Sequence, residues 1–281
     1  EMYEALSAKN LRTPFWGPFS GLKATVGGST SQNSLSMGTS AYGGSPESIL
    51  CYDIVLPHGE LLKTGSSAMK NSQPFFRHYG PDLTGLFSGD AGALGVKARI
   101  TLRLIRHPSH TLTCSFGFKD YTSMSQGMAA AAREQSVSSN WGLDPQLQQG
   151  QLGSTTAKDA IQAAFAVLRT TRNPFEAIIQ LGKMALAGKR FLTGFDYSAH
   201  FVVEGYSTAE VKSKLAQTRK AVGPHGTEIA NTIPTVLGAM PFMELYPILG
   251  PQGERWVPMH GIVSFSKMQA LHDSLMALYE E

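Results

Sequence analysis

Two glycine-rich runs and two histidines on strand-like segments are the features of this sequence that can carry chemistry. The first run is Ala24-Thr25-Val26-Gly27-Gly28-Ser29-Thr30-Ser31-Gln32-Asn33-Ser34-Leu35-Ser36-Met37-Gly38, in a stretch without charge between Lys23 and Glu47. Paired glycines let a backbone pass close to a ligand. Successive N–H groups in such loops form concavities that hold pyrophosphate without a formal positive charge. The competing reading is a Gly/Ser surface loop. The second run extends from Gly80 to Val96, with glycines at 85, 89, 92 and 95 among apolar residues. That pattern suits backbone lying against something flat and apolar. Neither run is a G-x-G-x-x-G fingerprint or a P-loop.

The histidines are His200, in Ser198-Ala199-His200-Phe201-Val202-Val203-Glu204, and His260, in Trp256-Val257-Pro258-Met259-His260-Gly261. Alternation along a strand puts His200, Val202 and Glu204 on one face. An imidazole titrates near neutral pH and suits proton abstraction. Pro258 and Gly261 imply an irregular strand with close backbone approach around His260. For either histidine the competing reading is a satisfied core or surface residue. Arg77 and His78, just before the second run, suit an anionic substrate or plain solvation. His58, His78, His107, His110, His225 and His272 lack ligand spacing, so no metal site is expected. Gly205-Tyr206-Ser207-Thr208-Ala209 only grazes the nucleophile-elbow pattern, and Ser207 reads better as a helix cap.

The elements that must position these residues fall into two textures. Residues 1–106 read as β-rich with one helix at most: strands over 48–56, 60–63 and 96–105, the first two joined by the Pro57-His58-Gly59-Glu60 turn. From 107 onward the pattern predicts a strand at 111–118, a helix at 122–135, helices at 156–169 and 173–187, and a strand at 196–206. A helix capped by Ser207 and Glu210 follows and ends before Gly223-Pro224, then a strand at 256–265 and a final helix. That order is an α+β layer with a helical insertion after its first helix. A boundary is expected near Arg106–Ser109. At 281 residues, 42% hydrophobic and 16% charged, the chain has room for two domains and a substantial core. A net charge of +3 is too weak a bias for nucleic acid or a membrane surface. No membrane span is expected, since the one long uncharged run is dominated by Gly, Ser and Thr. Two lone cysteines make no disulfide framework, and with no signal-peptide pattern the expected location is cytoplasmic.

The pieces ATVGGSTSQNSLSMGTSAYGGSPESILCYDIVLPHGELLKTG and GPDLTGLFSGDAGALGVKARITLRL resemble the second half of the FAD-binding domain of the vanillyl-alcohol oxidase / p-cresol methylhydroxylase type. Glycolate oxidase FAD subunits, D-lactate dehydrogenases and alkyl-dihydroxyacetonephosphate synthase share that domain. The resemblance covers residues 12–106. Residues 107–281 resemble, more loosely, part of the family's cap domain. The fold it implies is α+β: the second half of that flavin domain (1–106), then a ferredoxin-like α+β cap with a helical insertion (107–281).

By position, the resemblance places Thr25, Val26, Gly27 and Gly28 against the FAD pyrophosphate and ribityl chain. Asn33, Ser34 and Gly38 continue that wall, and Tyr42-Gly43 closes it. Gly92, Leu94, Gly95 and Val96 match the Gly-x-Leu-Gly-Val/Ile segment, whose backbone lies along the cofactor near the adenine end. One departure stands out: the family's Ser-Glu-Gly is here Asp90-Ala91-Gly92, with Asp90 offsetting the lost carboxylate or the local hydrogen bonds altered.

The implied activity is FAD-dependent oxidation of a small 2-hydroxy acid (lactate- or glycolate-like) or an alcohol by hydride transfer to flavin. His260 and His200 would be its candidate bases, and oxygen, a cytochrome or a quinone the acceptor. The alternatives are a non-catalytic binding or scaffold subunit that needs a partner chain, and an unrelated α+β binding protein. The family's first subdomain and its return segment have no counterpart in 1–281. The chain therefore reads as an internal portion, whose partners would be the missing segments or further copies of itself.

Overall fold

The computed structural model describes residues 1–17, 23–148, 194–239, 242 and 261–280. The chain divides into two units, Glu1–Pro108 and Ser109–Glu281.

In the first unit a three-stranded antiparallel sheet, order β3-β2-β4, is the platform. Its strands are β2 (Ile49–Val55), β3 (Leu61–Lys63) and β4 (Val96–Leu102). The sequence Ile-Leu-Cys-Tyr-Asp-Ile-Val on β2 buries Ile49, Tyr52 and Ile54, which pack with Phe87 under Leu62, Ile100 and Leu102. The Pro57–Glu60 turn is realised as a hairpin: Gly59 sits at φ 87° and donates to the Leu56 carbonyl. Such a conformation suits glycine, which has no Cβ to clash. A two-stranded ribbon pairs β1 (Leu11–Arg12) with β5 (Ile105–Arg106). The strand expected over 96–105 is thus broken at 103–104, where the Arg103 N–H turns to the Ser48 carbonyl at 2.7 Å.

The expectation of one helix at most is corrected. Four short helices occur in this unit: α1 (Met2–Ser7), α2 (Val26–Ser31), α3 (Thr39–Tyr42) and α4 (Leu83–Leu86). Each is one or two turns long and shows no apolar period. For two of them local capping is the cause: the Thr25 hydroxyl accepts from Gly28 N–H at 3.0 Å, and the Asp82 carboxylate from Gly85 N–H at 2.9 Å.

The second unit is built on a four-stranded antiparallel sheet of order β7-β8-β6-β9. Its elements run β6 (His110–Phe118), α5 (Tyr121–Arg133), β7 (Ser139–Leu143), β8 (Tyr197–Gly205), α6 (Thr208–Val222), β9 (Thr227–Ile229), α7 (Thr232–Ala239) and α8 (Met268–Glu280). A β-α-β, β-α-β succession in that strand order is the ferredoxin-like arrangement. One sheet face carries Cys114, Phe116, Phe118, Ala199, Phe201 and Val203 against Met124 and Ala131 of α5 and Val211, Leu215 and Val222 of α6. Both helices start as the sequence dictates. Asp120 accepts from Ser123 N–H at 2.7 Å, and Ser207 accepts from Glu210 N–H at 3.2 Å. The Glu210 carboxylate reaches back to Tyr206 N–H at 2.7 Å.

Two strands and a helix escape the sequence pattern: β7, β9 and α7. The edge position beside β6 is taken by β9, directly after α6. Gly261–Ser264 have no regular structure, and Phe265–Lys267 form a 3-10 turn. Residues 256–260 and the helices expected at 156–169 and 173–187 lie outside the described residues.

Candidate functional site

The two glycine-rich runs are some sixty residues apart in sequence, and the fold brings them edge to edge. Gly89 N–H donates to the Thr30 carbonyl at 2.9 Å and Ala91 N–H to the Ser31 carbonyl at 2.8 Å, so the second run is laid along the end of α2. Asn33, at φ 50°, puts its Cβ against Gly89. Ser34 N–H donates to the Ser29 carbonyl and its own carbonyl accepts from Ser45 N–H, while the Ser45 hydroxyl donates to Ser29. These bonds tie the 42–45 segment, with Tyr42 and Gly43 at the end of α3, into the same assembly. Gly38 is pressed on the Pro14 carbonyl, where any Cβ would collide.

Thr25, Val26, Gly27 and Gly28 form the cap and first turn of α2. Among the described residues, the Val26 and Gly27 N–H groups have no hydrogen-bond partner, as first-turn amides do not. A Cβ added at Gly27 would meet nothing within 4 Å. Internal packing therefore gives no reason for glycine there, whereas close approach of an external group does. Gly92 and Leu94 lie on the exposed loop leading to β4. Gly95 is wedged under Ile54 and the Val55 carbonyl, and Val96, which opens β4, is 69% exposed.

The donors of the second loop are differently disposed. The N–H groups of Gly89 and Ala91 go to α2, and that of Ala93 to the Asp90 carbonyl. Those of Gly92 and Leu94 go to the Asp90 carboxylate at 3.0 and 3.4 Å. What this loop offers outward, among the described residues, is the unpaired carbonyls of Ala91, Gly92 and Ala93. The site thus pairs an amide-donor edge at 26–27 with a carbonyl-acceptor edge at 91–93. An anionic linkage fits the first, and a ligand end bearing N–H or O–H groups fits the second.

Asp90 is the residue that sequence reasoning undervalued. Its carboxylate lies 2.6 Å from Lys97 Nζ, with side-chain exposures of 2% and 3%. Burial pushes its pKa up, but the bonds from Lys97 and the two backbone amides outweigh this and hold it below the usual carboxylate range. Lys97 Nζ also stands 5.8 Å from the Tyr52 ring centroid. Tyr52 is buried, which raises its phenol, and its hydroxyl lies 3.2 Å from Ser88 Oγ. Arg77 is committed internally. It grips Asp82 through Nε and Nη2 at 2.8–3.2 Å and donates from Nη1 to the Pro46 carbonyl at 2.6 Å, clamping one glycine-rich segment to the other.

His200 belongs to the second unit and is fully buried on the sheet face away from α5 and α6. Ser115 Oγ is 2.9 Å from Nδ1, Ser198 Oγ is 3.2 Å from Nε2, and the Trp141 ring centroid is 5.7 Å away. Strand parity does put Glu204 on the same face, but serines rather than a carboxylate hold both ring nitrogens. Burial pushes the imidazole pKa down to about 3, so it is neutral and weakly basic at pH 7. His260 lies outside the described residues. Among the described residues no group of three His, Cys, Asp or Glu could hold a metal, and no helix is long and apolar enough to cross a membrane.

Residues 1–65 match the family model described as FAD binding domain. The chain is 39% identical over 77 residues to the mitochondrial D-lactate dehydrogenase [cytochrome] of Arabidopsis thaliana, covering 27% of this chain and 12% of that protein. It is 30% identical over 108 residues to glycolate oxidase subunit GlcD of Bacillus subtilis, covering 38% and 22%. Among solved structures, an alkyldihydroxyacetonephosphate synthase superposes with TM-score 0.62 at 13% identity, covering 100% of this chain and 50% of that one. A p-cresol methylhydroxylase superposes with TM-score 0.58 at 18% identity, covering 88% and 47%. The class so defined is a mixed α/β protein whose amino-terminal unit is part of an FAD-binding domain. What the match establishes is that residues 1–65 are part of an FAD-binding domain, and FAD is the cofactor of such a domain. The chain spans less than a quarter of the length of these curated relatives.

Proposed function

We propose that this chain forms part of an FAD-dependent oxidoreductase acting on a small 2-hydroxy acid, lactate- or glycolate-like, or on an alcohol. One observation carries the proposal: the two glycine-rich runs, distant in sequence, meet at Gly89–Thr30 and Ala91–Ser31 and form one assembly. In this reading Thr25 to Gly28, Asn33, Ser34, Gly38 and Tyr42-Gly43 line the phosphate and ribityl side. Gly92, Leu94, Gly95 and Val96 line the opposite end. The D-lactate dehydrogenase and glycolate oxidase relatives support hydroxy acids as the substrate class. When bound, FAD supplies the acceptor for the hydride. The protein would hold the cofactor by backbone groups and take the substrate hydroxyl proton on a side chain, with His260 the retained candidate and His200 the second. His200 serves in that role only with its serine bonds broken and the sheet face uncovered. The 1–106 portion is proposed as the rear half of the flavin domain and 107–281 as a partial cap. Buried free thiols at Cys51 and Cys114 support a reducing, cytoplasmic setting.

A second reading, a binding subunit that works with a partner chain, is favoured by exposed aromatic residues in the first unit. Phe75 is 68% and Tyr79 57% exposed. The Bacillus relative is itself named a subunit.

The test is absorbance of the purified chain after incubation with FAD and gel filtration, followed by addition of lactate, glycolate or an aromatic alcohol. Retained flavin bands that bleach with a hydroxy acid are expected. Retention without bleaching favours the binding subunit, and no retained flavin overturns the oxidoreductase reading.

A further inference from the structure

We infer that Asp90 and Lys97 are a positioning pair that holds segment 89–95 in the shape it presents to the cofactor; the inference rests on the proposed flavin site. A carboxylate and an ammonium that are 2% and 3% exposed need partners for all their charge, because an unmatched ion in such a place is strongly disfavoured. Here each has them. Lys97 Nζ, Gly92 N–H and Leu94 N–H converge on the one carboxylate, and the Tyr52 ring faces the ammonium. Lys97 sits on the second residue of β4, which is fixed by pairing with β2 at Ile54. The carboxylate therefore links a mobile kind of sequence, Gly-Asp-Ala-Gly-Ala, to the rigid sheet.

The pair also explains the backbone. Gly89, Ala91 and Gly92 all have positive φ, at 69°, 53° and 78°, and Ala91 adopts this conformation without being glycine. Such a run persists only where surrounding bonds over-determine it. Two of those bonds come from α2 and the others from Asp90. By consuming the Gly92 and Leu94 amides, the carboxylate turns this loop into an edge of acceptors.

The test is site-resolved amide hydrogen exchange on the full chain, with FAD titration alongside, for D90N, K97M and D90N/K97M. In D90N, exchange at Gly92 and Leu94 should accelerate about tenfold or more, and FAD affinity should fall by a similar factor. If a lone buried charge prevents D90N from folding, the double variant, which leaves neither charge, carries the same readout. Wild-type exchange at both amides in a folded D90N or D90N/K97M overturns the inference. So does faster exchange with unchanged FAD affinity. If the wild type binds no FAD while exchange still accelerates, the flavin reading fails but the pair's hold on the loop stands.

Discussion

The two units owe their order to opposite kinds of contact. In the second, side chains do the positioning: Phe116, Phe118, Phe201 and Val203 fill the space between sheet and helices, and Phe116 meets Phe201 edge to face at 6.1 Å. In the glycine-rich part of the first there are few side chains to bury. The 24–45 and 80–96 segments are positioned by Gly89 to Thr30, Ala91 to Ser31, Ser45 to Ser29, the Arg77 clamp and the Asp90–Lys97 pair. A segment that must lie open to a ligand cannot be anchored by burial, so polar contacts anchor it from behind. The units should therefore fail under different mutations, one under loss of volume and the other under an added Cβ or a deleted polar atom.

The largest effect is expected from Phe201→Ala. The ring is fully buried at the centre of the sheet, and its removal should cost about 3–5 kcal/mol. Urea unfolding followed through Trp141 on the adjacent strand β7 measures it. A loss below 1 kcal/mol would mean that this face is not the core of the unit.

A glycine pair sharpens the contrast. At Gly95 a Cβ would stand 2.6 Å from Ile54 Cγ2 and 2.9 Å from the Val55 carbonyl, so Gly95→Ala should cost about 1–3 kcal/mol. At Gly27 a Cβ meets nothing, so Gly27→Ala should leave the melting temperature unchanged or slightly raised while weakening FAD binding. Differential scanning calorimetry with a parallel FAD titration separates the two. A Gly27→Ala protein with unaltered flavin affinity would remove that glycine from the proposed site.

Those two glycines also mark how far the sequence could be read. Both runs were visible as composition, the sequence pattern located β6, β8 and α5, and the Ser207 and Glu210 caps located α6. Ser139-Asn140-Trp141-Gly142-Leu143 did not read as a strand, because three of its five residues are polar or glycine. It holds its place through pairing with β8. The three-residue β9 is too short for any period to show. The Asp90–Lys97 pair was invisible for a different reason. Seven residues apart across a loop and a strand, the two charges have no local relation, and only the fold buries them together. Parity rightly placed His200 and Glu204 on one face, but Ser115, contributed from a neighbouring strand, decided what the imidazole bonds.

That imidazole gives the next effect, moderate in size. Its folded pKa is about 3, against an ordinary value of 6.5 in the unfolded chain. Between these values the unfolded state binds a proton that the folded state refuses, so stability rises with pH. The contribution is complete above pH 6.5 and is lost on acidification towards pH 3, at up to about 1.4 kcal/mol per pH unit. His200→Gln should flatten that acid limb by close to one proton, as read from urea unfolding at pH 6.5, 5.5 and 4.5. An unchanged slope would show that the ring already protonates in the folded state, and would restore it as a base of ordinary strength.

The smallest effect is expected where a polar contact sits on the side-chain-packed unit. Arg219 on α6 grips Glu228 on β9 with two guanidinium nitrogens at 2.7–3.1 Å, yet both side chains are nearly half exposed. Solvent screening limits such a pair to about 0.2–1 kcal/mol, less at high salt. Glu228→Gln should therefore shift the unfolding midpoint only slightly, and 1 M NaCl should erase the difference. This is the same kind of contact as the Asp90–Lys97 pair and differs from it chiefly in exposure, which makes it the control for the whole comparison. A loss well above 1 kcal/mol that persists in salt would mean that β9 is held to the sheet by charge. The second unit would then share the strategy of the first.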